Sequence, residues 1–244
     1  IWETLGNGSD LSNTLNSLGV SLYAIGKYDE ALEYLSHSLD IALQIGASRR
    51  AAFAQASVGD VYLEQQKYEQ AMQAFRSATE YAQDAGVRAI EIYVVIRLGE
   101  CYYQQDELVQ ALQLALQAKE FTTETQLMLE KGLAITLQAK IYLRRAEYET
   151  SSTLFAEAFN CFAQSSLLEQ AKVGLWWAYT LLLDLRVSAA QRQLHESLKL
   201  AVRLDRSAPG LGLTVNEVRP LLRYALYQPD TSVEFKDHLH LLLR

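Results

Sequence analysis

Apolar residues recur along this chain on two scales. Within a segment they return every three or four positions, the spacing that aligns side chains on one face of an α-helix. From Leu18 to Leu35 one such run (Leu18, Leu22, Ile25) ends at Gly26, and a second (Tyr28, Ala31, Leu32, Leu35) begins just beyond it. This predicts a helix, a short turn and another helix. Gly26 is the stop, because glycine takes the left-handed conformation just past a helix end. Asp29 and Glu30 place negative charge at the start of the second helix, which suits its dipole. Between segments the whole pattern returns every 40 residues: Gly19, Gly59, Gly99 and small Ala139 share one register. Tyr28, Tyr68, Leu108 and Tyr148 share the turn. Ala31, Ala71, Ala111 and Ser151 follow, then Leu35, Phe75, Ala115 and Phe155 one turn later. A fifth copy arrives one residue early, with Ala178, Leu181, Val187, Ala190 and Leu194. Such repetition specifies a solenoid of helical hairpins, each burying its apolar face on its neighbours.

The pattern gives a helix A and a helix B in each repeat. They are predicted over about Leu11–Ile25 and up to Ile45 in repeat 1, and over Ser48–Gln65 and Tyr68–Ala85 in repeat 2. Repeat 3 spans Val87–Gln104 and Glu107–Thr123, repeat 4 Leu127–Arg144 and Tyr148–Gln164, and repeat 5 Leu167–Leu185 and Ser188–Leu204. Residues 8–204 are thus expected to form five hairpins. Residues 1–7, of which Ile1–Gly6 align with Ile41–Gly46, are expected to be the tail of a preceding repeat, in a piece of a longer protein. Residues 205–244 are expected to be a breaker-rich loop and two capping helices, about Asn216–Tyr227 and Ser232–Leu243, the latter with Phe235, Leu239 and Leu242 on one face. Gly19 and Ala31 fall where helices A and B cross, and Leu22, Tyr62, Tyr102 and Tyr142 are expected to fill the space between hairpins.

In repeat 2 the residues read Val58-Gly59-x2-Tyr62, then Ala71-x3-Phe75. This resembles the tetratricopeptide repeat (TPR) signature, and the resemblance runs from about Leu11 to Leu204. The period is longer than the family's usual length of about 34 residues, the first signature Trp is replaced by Leu15, Gln55, Val95 and Ile135, and the closing Pro is missing. Longer repeats of this kind are similar to those of MalT-like signal-transduction ATPase regulators. The resemblance implies an all-α fold, a right-handed TPR-like α-solenoid of antiparallel hairpins with a C-terminal helical cap. It also implies a concave groove lined by helix A residues. Asn13, Asn16 and Tyr23 come from repeat 1, Phe53, Asp60 and Glu64 from repeat 2, and Tyr93, Glu100, Tyr103 and Gln104 from repeat 3. Lys140 and Arg144 come from repeat 4, and Lys172 and Tyr179 from repeat 5. Tyrosines among charges of both signs suit a polar peptide or metabolite; the same charges could equally pair across adjacent helices as ion pairs.

The net charge of −7 and pI near 5.2 disfavour nucleic acid as a partner of this segment. Cys101 and Cys161 lack paired spacing and read as reduced core residues of a cytoplasmic protein. No apolar run reaches the roughly 20 residues that cross a bilayer. Gly210-x-Gly212 lacks the rest of a phosphate loop, and His238 and His240 point apart on a helix. No catalytic residue, metal site or cofactor is expected. The expected function is a binding or sensor segment of a larger cytoplasmic bacterial signalling or transcription-regulatory protein. It would take a peptide, a protein or a small inducer in the groove and relay that to other domains of the polypeptide. A protein–protein scaffold with no small-molecule ligand is the alternative. One packing consequence is testable: Gly59→Leu should force its hairpin apart and cost about 1–3 kcal/mol or more, read as a lowered melting temperature.

Overall fold

The computed structural model describes residues 8–123, 127–204, 212–228, 236–237 and 239–240, and these hold helices and turns with no strand among them. The predicted tail at 1–7, the loop at 205–211 and most of the second capping helix, with Phe235 and Leu242, lie outside the described residues. In chain order the helices are α1 (Gly8–Ala24), α2 (Tyr28–Gln44), α3 (Ser48–Glu64), α4 (Tyr68–Asp84), α5 (Arg88–Gln104) and α6 (Leu108–Thr123). There follow α7 (Met128–Arg144), α8 (Tyr148–Phe162), α9 (Leu167–Leu183), α10 (Val187–Leu204), α11 (Gly212–Glu217) and α12 (Arg219–Leu226). The chain divides into two compact units, an N-terminal one over Ile1–Phe121 and a C-terminal one over Thr122–Arg244.

The turns close with backbone alone. Gly26 takes φ 79°, and Gln66, Asp106 and Ala146 take φ 60°, 64° and 59° at the same place in the following repeats. Leu185, one residue early like the rest of its repeat, takes φ 58°. At each turn the next amide reaches back to the helix it leaves. Lys27 N donates to Leu22 O at 3.0 Å, Lys67 N to Tyr62 O at 2.9 Å, and Arg186 N to Leu181 O at 2.9 Å. This is the Schellman closure, which satisfies carbonyls a helix end would otherwise leave open. Gly46 and Gly86 close the B helices the same way, with Ala47 N on Ala42 O at 2.8 Å and Val87 N on Ala82 O at 2.9 Å.

Most helix bounds lie close to the predicted ones. α1 starts at Gly8 instead of Leu11, and its first turn is tied down by Arg50, whose Nε donates to Ser9 Oγ at 2.7 Å. α8 ends at Phe162 instead of Gln164, with no left-handed residue after it. Ser166 caps α9 instead, its hydroxyl accepting from Glu169 N at 3.2 Å. The linker at 163–166 is one residue longer than those at 45–47 and 85–87, but α8, with 15 residues, is two shorter than α2 and α4 with 17 each, and the difference is the one-residue advance of the fifth repeat.

Packing follows from where side chains are small. A Cβ on Gly19 would meet Leu35 Cγ at 2.6 Å, and one on Gly59 would meet the Phe75 ring at 2.5 Å. A Cβ on Gly132 would meet the Phe162 ring at 2.6 Å, and one on Gly174 would collide with Ser197 Oγ. Each of these A helices therefore lies against its partner at a distance only hydrogen allows. In the fourth repeat the alanine of the crossing becomes Ser151, and its hydroxyl is satisfied by Ala139 O at 2.8 Å. Helices α3, α5, α7 and α9 are buried around most of their circumference, whereas α2 and α4 bury a single stripe, Ala31-Leu35-Ser38 and Ala71-Phe75-Ala78 among its members.

In the N-terminal unit Tyr62 packs against both core clusters, one around Leu35 and Val61 and the other around Phe75 and Val94. In the C-terminal unit a single core joins Ile135, Phe155, Leu175 and Leu198 to Val218, Leu221 and Leu222 of the cap, and Leu239 is buried with them. The cap thus covers apolar surface on α9. Neither cysteine forms a disulfide among the described residues, and both are buried.

Leu185 is 85% exposed, so its side chain contributes little burial while its backbone sits in a conformation glycine adopts at no steric cost. Leu185→Gly is expected to raise stability by about 0.5–1 kcal/mol, measured as a higher urea midpoint.

Candidate functional site

Two constellations in the N-terminal unit use residues from the sequence-predicted set. The first lies between α3 and α5. Asp60 Oδ1 accepts from Arg97 Nε at 2.8 Å, and Asp60 Oδ2 accepts from Tyr93 Oη at 2.7 Å. Arg97 also pairs with Glu100 one turn on, and its guanidinium lies 5.9 Å from the Tyr93 ring centroid. The Asp60 and Arg97 side chains are 16% and 17% exposed, so water screens this pair poorly. Burial raises the Asp60 carboxyl above its ordinary range, with Arg97 and the two hydrogen bonds pulling the other way. Burial alone would lower Arg97, but Asp60, Tyr93 and Glu100 together hold it well above its usual value. Burial, then Asp60, lifts Tyr93 and Tyr23 well above the usual phenol range. The Cys101 thiol is pushed up to about 12, chiefly by burial, so it stays protonated and is a poor nucleophile. This cluster is a hydrogen-bonded tie between neighbouring A helices.

The second constellation is a pocket of about 540 Å³ at the start of α1 and α3. Its floor is a reciprocal serine pair in which Ser12 Oγ donates to Ser38 O at 2.9 Å and Ser38 Oγ donates to Ser12 O at 2.7 Å. Asn13 and Asn16 line one side. Arg49, Arg50 and Phe53 line another. Arg50 is tied to Ser9, but Arg49 makes no ion pair among the described residues. The Arg49 guanidinium sits 6.0 Å from the centroid of Phe53, which is 44% exposed. Asn16 Oδ1 is buried without a hydrogen-bond partner, an uncommon state for a polar atom. The pocket is lined by two arginines and no acidic residue, in a chain of net charge −7.

The remaining predicted residues are placed individually. Tyr23 stacks obliquely on Tyr28, centroids 6.2 Å apart, with Glu64 near enough to raise both phenols further. Gln104 is half-buried, and Tyr103 is 3% exposed, inside the core. In the C-terminal unit Lys140 is 6% exposed, with its Nζ 5.2 Å from the Trp176 ring centroid and 3.8 Å from Glu217 of α11. Lys172 pairs with Glu169 of its own helix at 2.9 Å, Tyr179 packs on the core beside Trp176, and Arg144 is exposed at the end of α7. The structure thus brings Asp60, Tyr93 and Glu100 together around Arg97, and Asn13 with Asn16 beside Arg49 and Phe53.

Sequence reading passed over Arg97, Arg49 and Glu217. Arg97 carried a signal, since a single cation inside the apolar run Val94–Leu98 needs a buried anion nearby. Arg49 lies in the first turn of its helix, ahead of the positions assigned to the groove.

Removing one partner of the tie leaves a charge behind in a poorly hydrated place. Arg97→Ala should cost about 3 kcal/mol, whereas the paired change Asp60→Leu with Arg97→Met should recover most of that, as urea titrations of both variants would show.

Residues 10–84 match the model of the tetratricopeptide repeat family. No curated protein sequence matches the chain. Among solved structures, NprR in complex with its cognate peptide NprX superposes with a TM-score of 0.72 at 12% identity, over 93% of this chain and 63% of that one. A Rap protein complexed with Competence and Sporulation Factor gives 0.67 at 16% identity, over 96% and 62%. BtubC from P. vanneervenii gives 0.62 at 9% identity, over 83% and 84%. This chain therefore spans less than two thirds of the NprR and Rap chains. The first repeats carry the TPR sequence pattern, and the chain has the fold of TPR-like α-solenoids, built of antiparallel helix hairpins with a C-terminal helical cap.

Proposed function

We propose that this chain is a non-catalytic binding domain whose ligand is a peptide or a peptide segment of a protein, taken on the helix A face of α1 and α3. The observation that carries the reading is the pocket at Asn13, Asn16, Arg49 and Phe53. It joins an exposed aromatic ring, an arginine that makes no ion pair among the described residues and two asparagine side chains in one concavity. Peptide recognition uses such groups: apolar area for a side chain, and amides for backbone hydrogen bonds. The fold likeness to NprR, solved with a cognate peptide, supports the same class of ligand. On this reading the domain is a sensor segment of a larger bacterial regulator working in the cytoplasm. Binding would be relayed to other domains, a reading that the resemblance of these longer repeats to those of MalT-like regulators supports. The groups of the Asp60–Arg97 tie serve the scaffold and hold α3 and α5 at a fixed spacing beside the pocket.

The test is selection of a displayed random-peptide library on the 244-residue chain, followed by hydrogen exchange with a selected peptide. Slower exchange in α1 and α3, and at least about tenfold weaker binding by Phe53→Ala, are expected, the latter equal to about 1.4 kcal/mol. Failure to select any peptide, or protection elsewhere only, would overturn the assignment.

A further inference from the structure

The B helices carry a charge pattern that neither the core nor the pocket uses. α2 holds Asp29, Glu30, Glu33 and Asp40 and no Lys or Arg. α4 and α8 also hold more acid than base, and α6 is balanced. α10 is the exception among these helices: Arg192, Lys199 and Arg203 stand against the single acid Glu196. The charged side chains of α2 and of α10 are all exposed. Helical spacing gathers Arg192, Lys199 and Arg203 into one narrow stripe of α10, and Asp29, Glu33 and Asp40 into one of α2. Within the helices only exposed pairs touch these faces, Lys199 with Glu196 at 3.0 Å and Lys27 with Glu30 at 2.9 Å. Such pairs are weak and easily exchanged.

The two stripes share one spacing, read in opposite directions. From Asp29 the acids of the stripe follow after four and then seven residues; from Arg203 the cations precede it by four and then seven more. At about 1.5 Å of rise per residue both stripes span about 16 Å. Two helices laid antiparallel therefore bring Arg203 to Asp29, Lys199 to Glu33 and Arg192 to Asp40. Glu196 then falls opposite Ser36, which carries no charge, and the exposed Leu43 falls opposite Ala189, an apolar contact beside the last ion pair. His195 falls opposite His37, which adds no repulsion while both imidazoles are neutral. Laid parallel, the same stripes would set Glu33 against Glu196, and like charges facing each other repel. The match is thus directional as well as complementary in sign.

We infer that the basic stripe of α10 is a self-association surface, and that it packs antiparallel on the acidic stripe of α2 of a second copy of this chain. Arg203, Lys199 and Arg192 of one copy face Asp29, Glu33 and Asp40 of the other. Two α10 stripes repel each other, as do two α2 stripes, so each contact takes one stripe from each copy. Charge complementarity sets the partner and the direction, and it steers encounter more than it adds affinity. The association is accordingly weak and salt-sensitive. A nucleic acid is the other polyanion a basic stripe could take, but Glu196 within the stripe and the net charge of −7 oppose it. This surface is independent of the peptide pocket, which lies on the A helices α1 and α3.

The experiment is sedimentation velocity of the 244-residue chain over a range of concentrations at low salt. The parent should rise in mean mass with concentration and return to monomer at about 1 M salt, where the Debye length is about 3 Å. Two charge reversals test the register: Glu33→Lys with Asp40→Lys in α2, and Arg192→Glu with Lys199→Glu in α10. All four positions are exposed, so the core is untouched; unchanged far-ultraviolet circular dichroism and melting check this. Each reversal alone should weaken association at least about tenfold. An equal mixture of the two reversed proteins should associate again, and so should one chain carrying all four changes. A parent that stays monomeric, an association that neither reversal weakens, or a loss that neither the mixture nor the fourfold variant restores would each overturn the inference. A monomeric parent that binds mixed-sequence duplex DNA, and loses it in Arg192→Glu with Lys199→Glu, overturns it too and gives the stripe to nucleic acid. The pocket residues are unchanged in every variant, so these outcomes leave the peptide reading to its own test.

Discussion

The fold depends on an exchange of volume between facing helices. Where helix A gives up its Cβ, helix B sends in a large side chain: Leu35 against Gly19, Phe75 against Gly59, Phe162 against Gly132. The contact is attractive because it is close, and dispersion falls off steeply with even a small gap. It is also selective, since a methyl group at any of these glycines would have to displace a ring or a branched chain that is wholly buried. Helices α3, α5, α7 and α9 are accordingly buried around most of their circumference. Asn13 of α1 and Arg49 of α3 stand on the exposed parts of their helices.

Much of this architecture was legible in the sequence, because it is periodic. Gly19 and Gly59 mark the crossing, and Gly26, Gly46 and Gly86 the stops. The strict period fails where the same physical need is met a turn or two away. Gly132 precedes Ala139 by seven residues, two turns along the same face, and Gly174 precedes Ala178 by four. The cap and the early end of α8 before Ser166 were harder, since they occur once and no repetition points to them. The candidate site was less legible. Resemblance named Asn13, Asn16, Asp60, Tyr93 and Glu100, but it could not show that the last three converge on Arg97. A periodic list carries which face a residue occupies; it does not carry which neighbour satisfies it.

That distinction separates the two charged regions of the N-terminal unit. Around Asp60 the strong groups are partnered inside the protein, and burial together with those partners sets their protonation. Such a network holds helices at a set spacing and has little left for a ligand. Around Arg49 the inventory does not close among the described residues: a guanidinium in no ion pair, a buried amide oxygen with no donor and a phenyl ring facing water. Function in a scaffold of this kind is read from the groups the scaffold leaves unmatched.

The turns carry a practical consequence. Their geometry is written in main-chain amides and carbonyls, so Gln66, Asp106 and Ala146 hold their places through the backbone. The two native thiols, Cys101 and Cys161, are buried. A cysteine introduced at one of these turns would therefore meet a labelling reagent well ahead of the native pair. Probes at Gln66 and Asp106, one repeat apart within the N-terminal unit, would turn that unit into a ruler, marked at an interval that the chain itself supplies.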